Sequence, residues 1–158
     1  MITKNRAARP DYFAAKPDLI GRLRAITRER ESFALDPKLR ALVEIRISQL
    51  NGCAYCTDLH SQEARAMGER QQRLDTLPVW RESPFFAPNE KAALAWAEGM
   101  TLIASAPTGD AAYGVLRDFF SENEVVELSL CAALANFWNR MAATFRKMPA
   151  AVVNCSDG

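Results

Sequence analysis

The dipeptide Asn51-Gly52 falls between two helical patterns and forces the chain to stop or bend sharply at that point. Upstream, Asp36-Pro37 supplies an N-cap followed by proline at the first helical position. Leu39, Leu42, Val43, Ile47 and Leu50 then recur at helical spacing up to the break. Downstream, a second helix is expected to start at or just before Cys53 and to run to Gly68, a suitable C-terminal cap.

The rest of the chain reads as helical too. A weaker helix is expected through "PDLIGRLRAITRER", where Arg22, Arg24, Arg28 and Arg30 lie close to Glu29 and Glu31 and suggest a solvated face. "DTLPVWRESPFFAPNE" reads as an ordered, proline-rich connection, and "EKAALAWAEGMTLI" as a strong helix. After the loop "SAPTGDAAYG" comes a short helix ending near Phe120. Ser121 and Glu124 then form an S-x-x-E capping box for the last long helix. That helix is apolar on every side from Leu130 to Ala135, so it is expected to run through the centre of a bundle. No segment alternates convincingly as a strand. The fold class is all-α, one domain over residues 1–158 with its core at about 10–150.

The totals exclude several classes. A formal net charge of +1 offers no basic field for nucleic acid. No apolar run approaches the ~20 residues of a bilayer span, and the charged N-terminus lacks a signal-peptide core. The expected location is the cytoplasm, with no membrane partner. There, four cysteines point away from a disulfide framework and towards catalysis or metal binding.

"NGCAYCTDLH" holds two of those cysteines and the sole histidine. On a helix Cys53 and Cys56 stand at i and i+3, and His60 follows Cys56 at i+4, so all three project from one side. A helix N-terminus and a nearby imidazole both lower a thiol's pKa. A neighbouring thiol can resolve a sulfenic acid as a disulfide, and His60 is placed to shuttle the proton. Zinc would want a fourth ligand, for which only the isolated Cys131 and Cys155 remain. Inert burial is the third alternative. The spacing favours redox chemistry over both. Cys131 reads as core, and Cys155 lies in the tail.

The string "EIRISQLNGCAYCTDLHSQEARAMG", with the later "EKAALAWAEGMT" and "NFWNR", resembles the alkylhydroperoxidase D-like (AhpD-like) group of the carboxymuconolactone decarboxylase superfamily. The resemblance implies an all-helical fold that assembles into homo-trimers or homo-hexamers. It also implies a thiol peroxidase or disulfide reductase with no cofactor beyond a redox-active Cys53–Cys56 disulfide, and no metal. By that likeness Cys56 attacks the hydroperoxide and becomes the sulfenic acid, and Cys53 supplies a proton and resolves it. His60 belongs to a proton relay with an upstream glutamate. A dithiol donor, a lipoyl or thioredoxin-like protein, re-reduces the pair.

The relay glutamate of that group falls where this chain has Ala41, and Glu44 stands three residues later. The two positions differ by about 60° and roughly 4.5 Å along a helix, so Glu44 is a candidate replacement. The alternative for Glu44 is an ion pair with an arginine at the surface or an interface. Tyr55 occupies the place where some members carry a second histidine.

Trp80, Phe85, Phe86, Trp96 and Trp138 could line a pocket, although core or interface is the commoner use of such aromatics. Asn136, Asn139 and Arg140 need partners if buried. Arg46, on the apolar side of its helix, is expected in a buried or interfacial ion pair, and the active site is one candidate place for it. The function expected is hydroperoxide reduction. The rivals are a disulfide reductase or redox sensor, a lactone decarboxylase-like lyase, and a non-enzymatic zinc-stabilised helical module.

Overall fold

The computed structural model describes residues 9–150, and among them no strand is present. The helices are α1 (Tyr12–Ala15), α2 (Pro17–Arg28), α3 (Pro37–Leu50), α4 (Ala54–Ala66), α5 (Gln71–Thr76), α6 (Pro88–Thr101), α7 (Asp110–Arg117) and α8 (Glu122–Thr144). A single 3-10 turn, Glu29–Ser32, extends α2. Another, Leu77–Val79, follows α5 in the proline-rich connection.

The expected punctuation is present. The Asp36 side chain accepts the Lys38 N–H at 2.8 Å and starts α3. Ser121 and Glu124 cap α8 reciprocally. Gly52 and Gly68 take positive φ of 64° and 81° where the chain leaves α3 and α4, a conformation that a side chain would strain.

The centre of the bundle differs from expectation. It is α3, packed against α4, α6 and α8, that is enclosed. Every residue from Ala41 to Ile45 on it is buried, as are Ile47 and Ser48. Around it Leu77, Leu94, Ala97, Leu116, Leu128 and Ala132 close a continuous apolar core. By contrast, α8 lies along one side. Its Cys131, Ala132 and Ala135 face inwards, while Val126 and Leu130 are 57% and 48% exposed. The sequence gives the opposite impression because α3 carries charges that normally mark a solvent face, here internally paired.

The expected connection over residues 75–90 is ordered by one buried carboxylate. Glu98 of α6 accepts from Arg46 at 2.6 Å and from the Trp80 indole at 2.9 Å, and pairs with Arg81 at 2.6 Å. Arg46 therefore serves this anchor. Trp80 and Phe86 are core, and Trp96 packs against that core with its indole N–H on Ser129.

A second polar cluster fixes the bend at Asn51-Gly52 against α8. The Asn51 amide donates to the side-chain oxygens of Asn136 and Asn139, at 3.0 and 2.9 Å. Asn139 donates onward to Ser48 at 3.1 Å, Asn136 to Thr101 at 3.0 Å, and Arg140 to Asn136. Asn139 is fully enclosed. Asn139→Ala strips the acceptor from Asn51 and the donor from Ser48, so it should cost about 2 kcal/mol in urea denaturation. Surface polar-to-alanine changes should fall within roughly 0.5 kcal/mol of the parent.

Candidate active site

Because the chain turns at Gly52, Cys53 becomes the N-cap of α4, with extended backbone (φ −88°, ψ 94°). Its sulfur accepts the Cys56 N–H at 3.2 Å, the place an oxygen cap usually takes. Cys53 and Cys56 are joined as a disulfide with Cα atoms 5.4 Å apart. Both are nearly enclosed, and Tyr55 and Ala142 pack against them. With both sulfurs committed to each other, the pair is not a zinc half-site in this form.

One turn along, His60 is buried and its Nδ1 lies 2.8 Å from a Glu63 carboxylate oxygen. The same nitrogen is 3.5 Å from Glu44. Two carboxylates therefore converge on one ring nitrogen. An ionised carboxylate only accepts, so Nδ1 carries the hydrogen that it donates to Glu63 and Nε2 is left free of this contact.

Glu44 is 1% exposed and stands beside His60 rather than at a surface. Its other oxygen accepts a short hydrogen bond from Arg30, whose side chain is only 16% exposed. Arg40 donates at 2.7 Å to the Arg30 backbone carbonyl and holds that residue in place. The expectation of a solvated arginine face thus fails at Arg30: its charge is drawn inwards by the carboxylate beneath it. Ala41, the position it was compared with, is buried and apolar.

Glu63 was missed at the sequence level. Its only signal was the i, i+3 spacing from His60, which many exposed glutamates share. The two carboxylates titrate in opposite directions. Burial pushes the Glu44 carboxyl above its ordinary 4.5, against the pull of His60, Arg30 and Arg40. The hydrogen bond from His60 holds Glu63 below that value, with burial opposing. Ligand atoms of Glu44, His60 and Glu63 lie within 4.8 Å of one another, close enough to grip a cation. A dication there would sit against Arg30, so the guanidinium already supplies the balancing charge.

Cys56, His60 and Glu63 line a cleft of about 570 Å³, walled by α1, α2 and α8 through Phe13, Thr27 and Trp138. Trp138 is the one sequence-flagged aromatic on this cleft. Its indole N–H donates to Thr27 at 2.8 Å and fixes the wall. Cys53 borders a separate, shallower groove with Ser48, Thr57 and Arg65. Cys131 is buried in the core, its thiol pushed up to about 12 by burial, and so inert. Cys155 lies outside the described residues.

The raised Glu44 pKa has a defined effect on stability. The folded state binds this proton more tightly than the unfolded chain does. The favourable contribution is therefore complete below 4.5 and is lost as pH rises through the raised value. Arg30→Met removes a charge that favours the carboxylate and should extend that loss to higher pH. Urea denaturation between about pH 5 and 8 should show stability falling more steeply than in the parent, with the added slope abolished in R30M/E44Q.

The profile of the carboxymuconolactone decarboxylase family matches residues 21–99, the stretch that holds Glu44, both site cysteines, His60 and Glu63. The uncharacterised protein YdfG of Bacillus subtilis is 37% identical over 134 residues, covering 85% of this chain and 91% of that protein. A crystal structure from Agrobacterium tumefaciens superposes with a TM-score of 0.89 at 34% identity, covering 92% of this chain and 99% of that one. That protein is of unknown function, provisionally ascribed to antioxidant defence as AhpD. The debrominase Bmp8 shares the fold, with a TM-score of 0.80 at 22% identity over 88% of this chain and 75% of its own. With half its length matched by the family profile and a relative at this identity, the chain belongs to the carboxymuconolactone decarboxylase family, with the AhpD-like fold.

Proposed function

We propose that this protein is a thiol-dependent peroxidase that reduces hydroperoxides through a Cys53–Cys56 dithiol/disulfide cycle. The observation that carries the reading is that Cys56, disulfide-bonded to the N-cap Cys53 of α4, shares one cleft with a carboxylate-backed histidine. The AhpD-like fold and the name given to the Agrobacterium relative support it.

In the reduced protein the Cys56 thiolate, favoured by the N-terminus of α4, attacks the terminal peroxide oxygen. The O–O bond breaks, the alcohol leaves with a proton passed by Cys53 or His60, and Cys56 becomes a sulfenic acid. The Cys53 sulfur then attacks Cys56, the S–O bond breaks, and water departs as the disulfide forms. Two electrons pass from the thiol pair to the peroxide. A protein dithiol of lipoyl or thioredoxin-like type returns them by thiol–disulfide exchange. Glu63 orients the His60 ring and Glu44 exchanges its proton, standing in for the glutamate displaced by Ala41. No cofactor beyond the sulfur pair is invoked, and the place of action is the cytoplasm. No described helix is long and apolar enough to cross a membrane.

The protein acts as a homo-oligomer, trimer or hexamer. Val126, Leu130, Leu134 and Phe137 form an apolar stripe on the outer side of α8 that no part of the described residues covers fully, and a second copy suits it.

Stopped-flow mixing of the reduced protein with cumene hydroperoxide should oxidise two thiols per peroxide. Cys56→Ser should abolish the reaction, and peroxide loss at the parental rate would refute its role. Cys53→Ser should still turn over once, leaving a sulfenic acid at Cys56 that dimedone traps. Glu44→Gln should slow thiol oxidation about 10²-fold and displace its pH profile, the range expected for a lost acid–base group. Oxidation by a small disulfide but not by peroxide would favour a disulfide reductase. For assembly, Leu130→Lys should yield monomers in sedimentation velocity.

A further inference from the structure

The wall of the Cys56 cleft carries a charge that the peroxidase cycle does not use. The Lys147 ammonium lies 4.3 Å from the ring centroids of both Phe13 and Tyr55. Tyr55 is the residue bonded to Cys56, so this cation stands at the threshold of the redox pair. Arg24 lies over the other part of the same platform, 5.6 Å from the Phe13 centroid. Arg28 follows one turn later on α2 and lines the cleft too. Arg30, the other cleft arginine, is committed to Glu44.

Among the described residues, Arg24, Arg28 and Lys147 form no ion pair within 4 Å. None of the acids that border the cleft pairs with these three cations. Glu63 is bonded to His60, and Asp11 accepts the Phe13 N–H at 2.9 Å. The exposed Glu31 makes no ion pair within 4 Å among the described residues. An ammonium resting on two aromatic faces is attracted by the rings, yet its N–H donors still lack an anionic acceptor. Next to it the Phe13 and Trp138 rings are parallel, their planes 4° apart and their centroids 6.4 Å apart, and both line the cleft as apolar wall.

We propose that the cleft is built for an anionic amphiphile. The anionic group, a carboxylate, is held by Lys147 with Arg24. An apolar chain or ring lies along Phe13, Tyr55 and Trp138. Taken with the peroxidase reading, on which this last step rests, the substrate class is a hydroperoxy acid whose peroxide end reaches Cys56 and His60. A volume of about 570 Å³ suits a ligand of medium chain length. A neutral compact peroxide such as cumene hydroperoxide would leave the cations without a partner.

The test separates the ligand class from the chemistry. Decanoate and 1-decanol are titrated into the disulfide form of the full chain by calorimetry. Decanoate should bind about tenfold more tightly than decanol at low salt, and that preference should shrink as salt rises. K147M should remove most of the preference, K147R should restore it, and R24M should reduce it in part. Equal affinity for acid and alcohol, or a preference that survives in both K147M and R24M, overturns the proposal. The reduced protein is then mixed with a long-chain hydroperoxy acid and with its methyl ester. The acid should oxidise the thiols about tenfold faster at equal concentration, and K147M should lower the acid-to-ester ratio. If neither peroxide oxidises the thiols while decanoate still binds selectively, the ligand class stands and the peroxidase reading fails. Equal rates for acid and ester overturn the substrate class.

Discussion

The buried carboxylate of Glu44 is the constraint on which the architecture of the cleft depends. A charge enclosed on the central helix is costly unless it is paired and hydrogen-bonded. Arg30 provides the pairing from the 3-10 turn after α2, and Arg40 steadies that turn through the Arg30 carbonyl. Satisfying Glu44 thereby fastens the end of α2 onto α3. With α2 fixed, Arg24, Thr27 and Arg28 face Trp138 across the cleft, and the Thr27–Trp138 hydrogen bond completes the wall. One ion pair thus supports both the contact of Glu44 with His60 and the shape of the cleft beside it.

The bend at Gly52 sets the other coordinate. It ends α3 and turns Cys53 into a cap, so the first sulfur accepts the Cys56 N–H and the second cysteine lies in the first turn of α4. The Asn51–Asn136–Asn139 cluster clamps this corner to α8. Such a network is favourable only when its members are satisfied together. Here Ser48, Thr101 and Arg140 take up the remaining valences. Rigid support of this kind keeps the pair of sulfurs in register with His60, four residues beyond Cys56.

Helix placement was readable from the sequence wherever punctuation was local. Asp36-Pro37, Asn51-Gly52, Gly68 and the Ser121–Glu124 box all act within a turn of themselves. Which helix occupies the centre was not readable, because Glu44 and Arg46 disguise α3 as half-solvated. Their partners, Arg30 and Glu98, lie 14 and 52 residues away. Cys53, expected on the same side as Cys56 and His60, is the N-cap and borders a separate groove, whereas the shared cleft of Cys56 and His60 was legible from their i, i+4 spacing. Glu63 was not, since an exposed i, i+3 glutamate and a ring-orienting one look alike until the ring is placed. The resemblance pointed to Ala41 for the missing acid, and helix geometry offered Glu44 as a candidate replacement, whose carboxylate lies 3.5 Å from His60 Nδ1.

The two carboxylates at Nδ1 are shifted in opposite directions, and on the proposed reading this divides the work between them. A group that stays ionised across the working range cannot store a proton, but it can fix a tautomer. Glu63, held below the ordinary carboxylate range by the imidazole, suits that role. A group held above that range by burial can exchange a proton with little driving force, and Glu44 suits that one. Arg30 and Arg40 keep the rise in check, because without their charges burial would push the carboxyl further towards its neutral form. On the proposed reading, this balance lets a residue displaced by three positions do the work of the acid it replaces. The helix turns by only about 60° over that displacement, and the long glutamate side chain spans the rest.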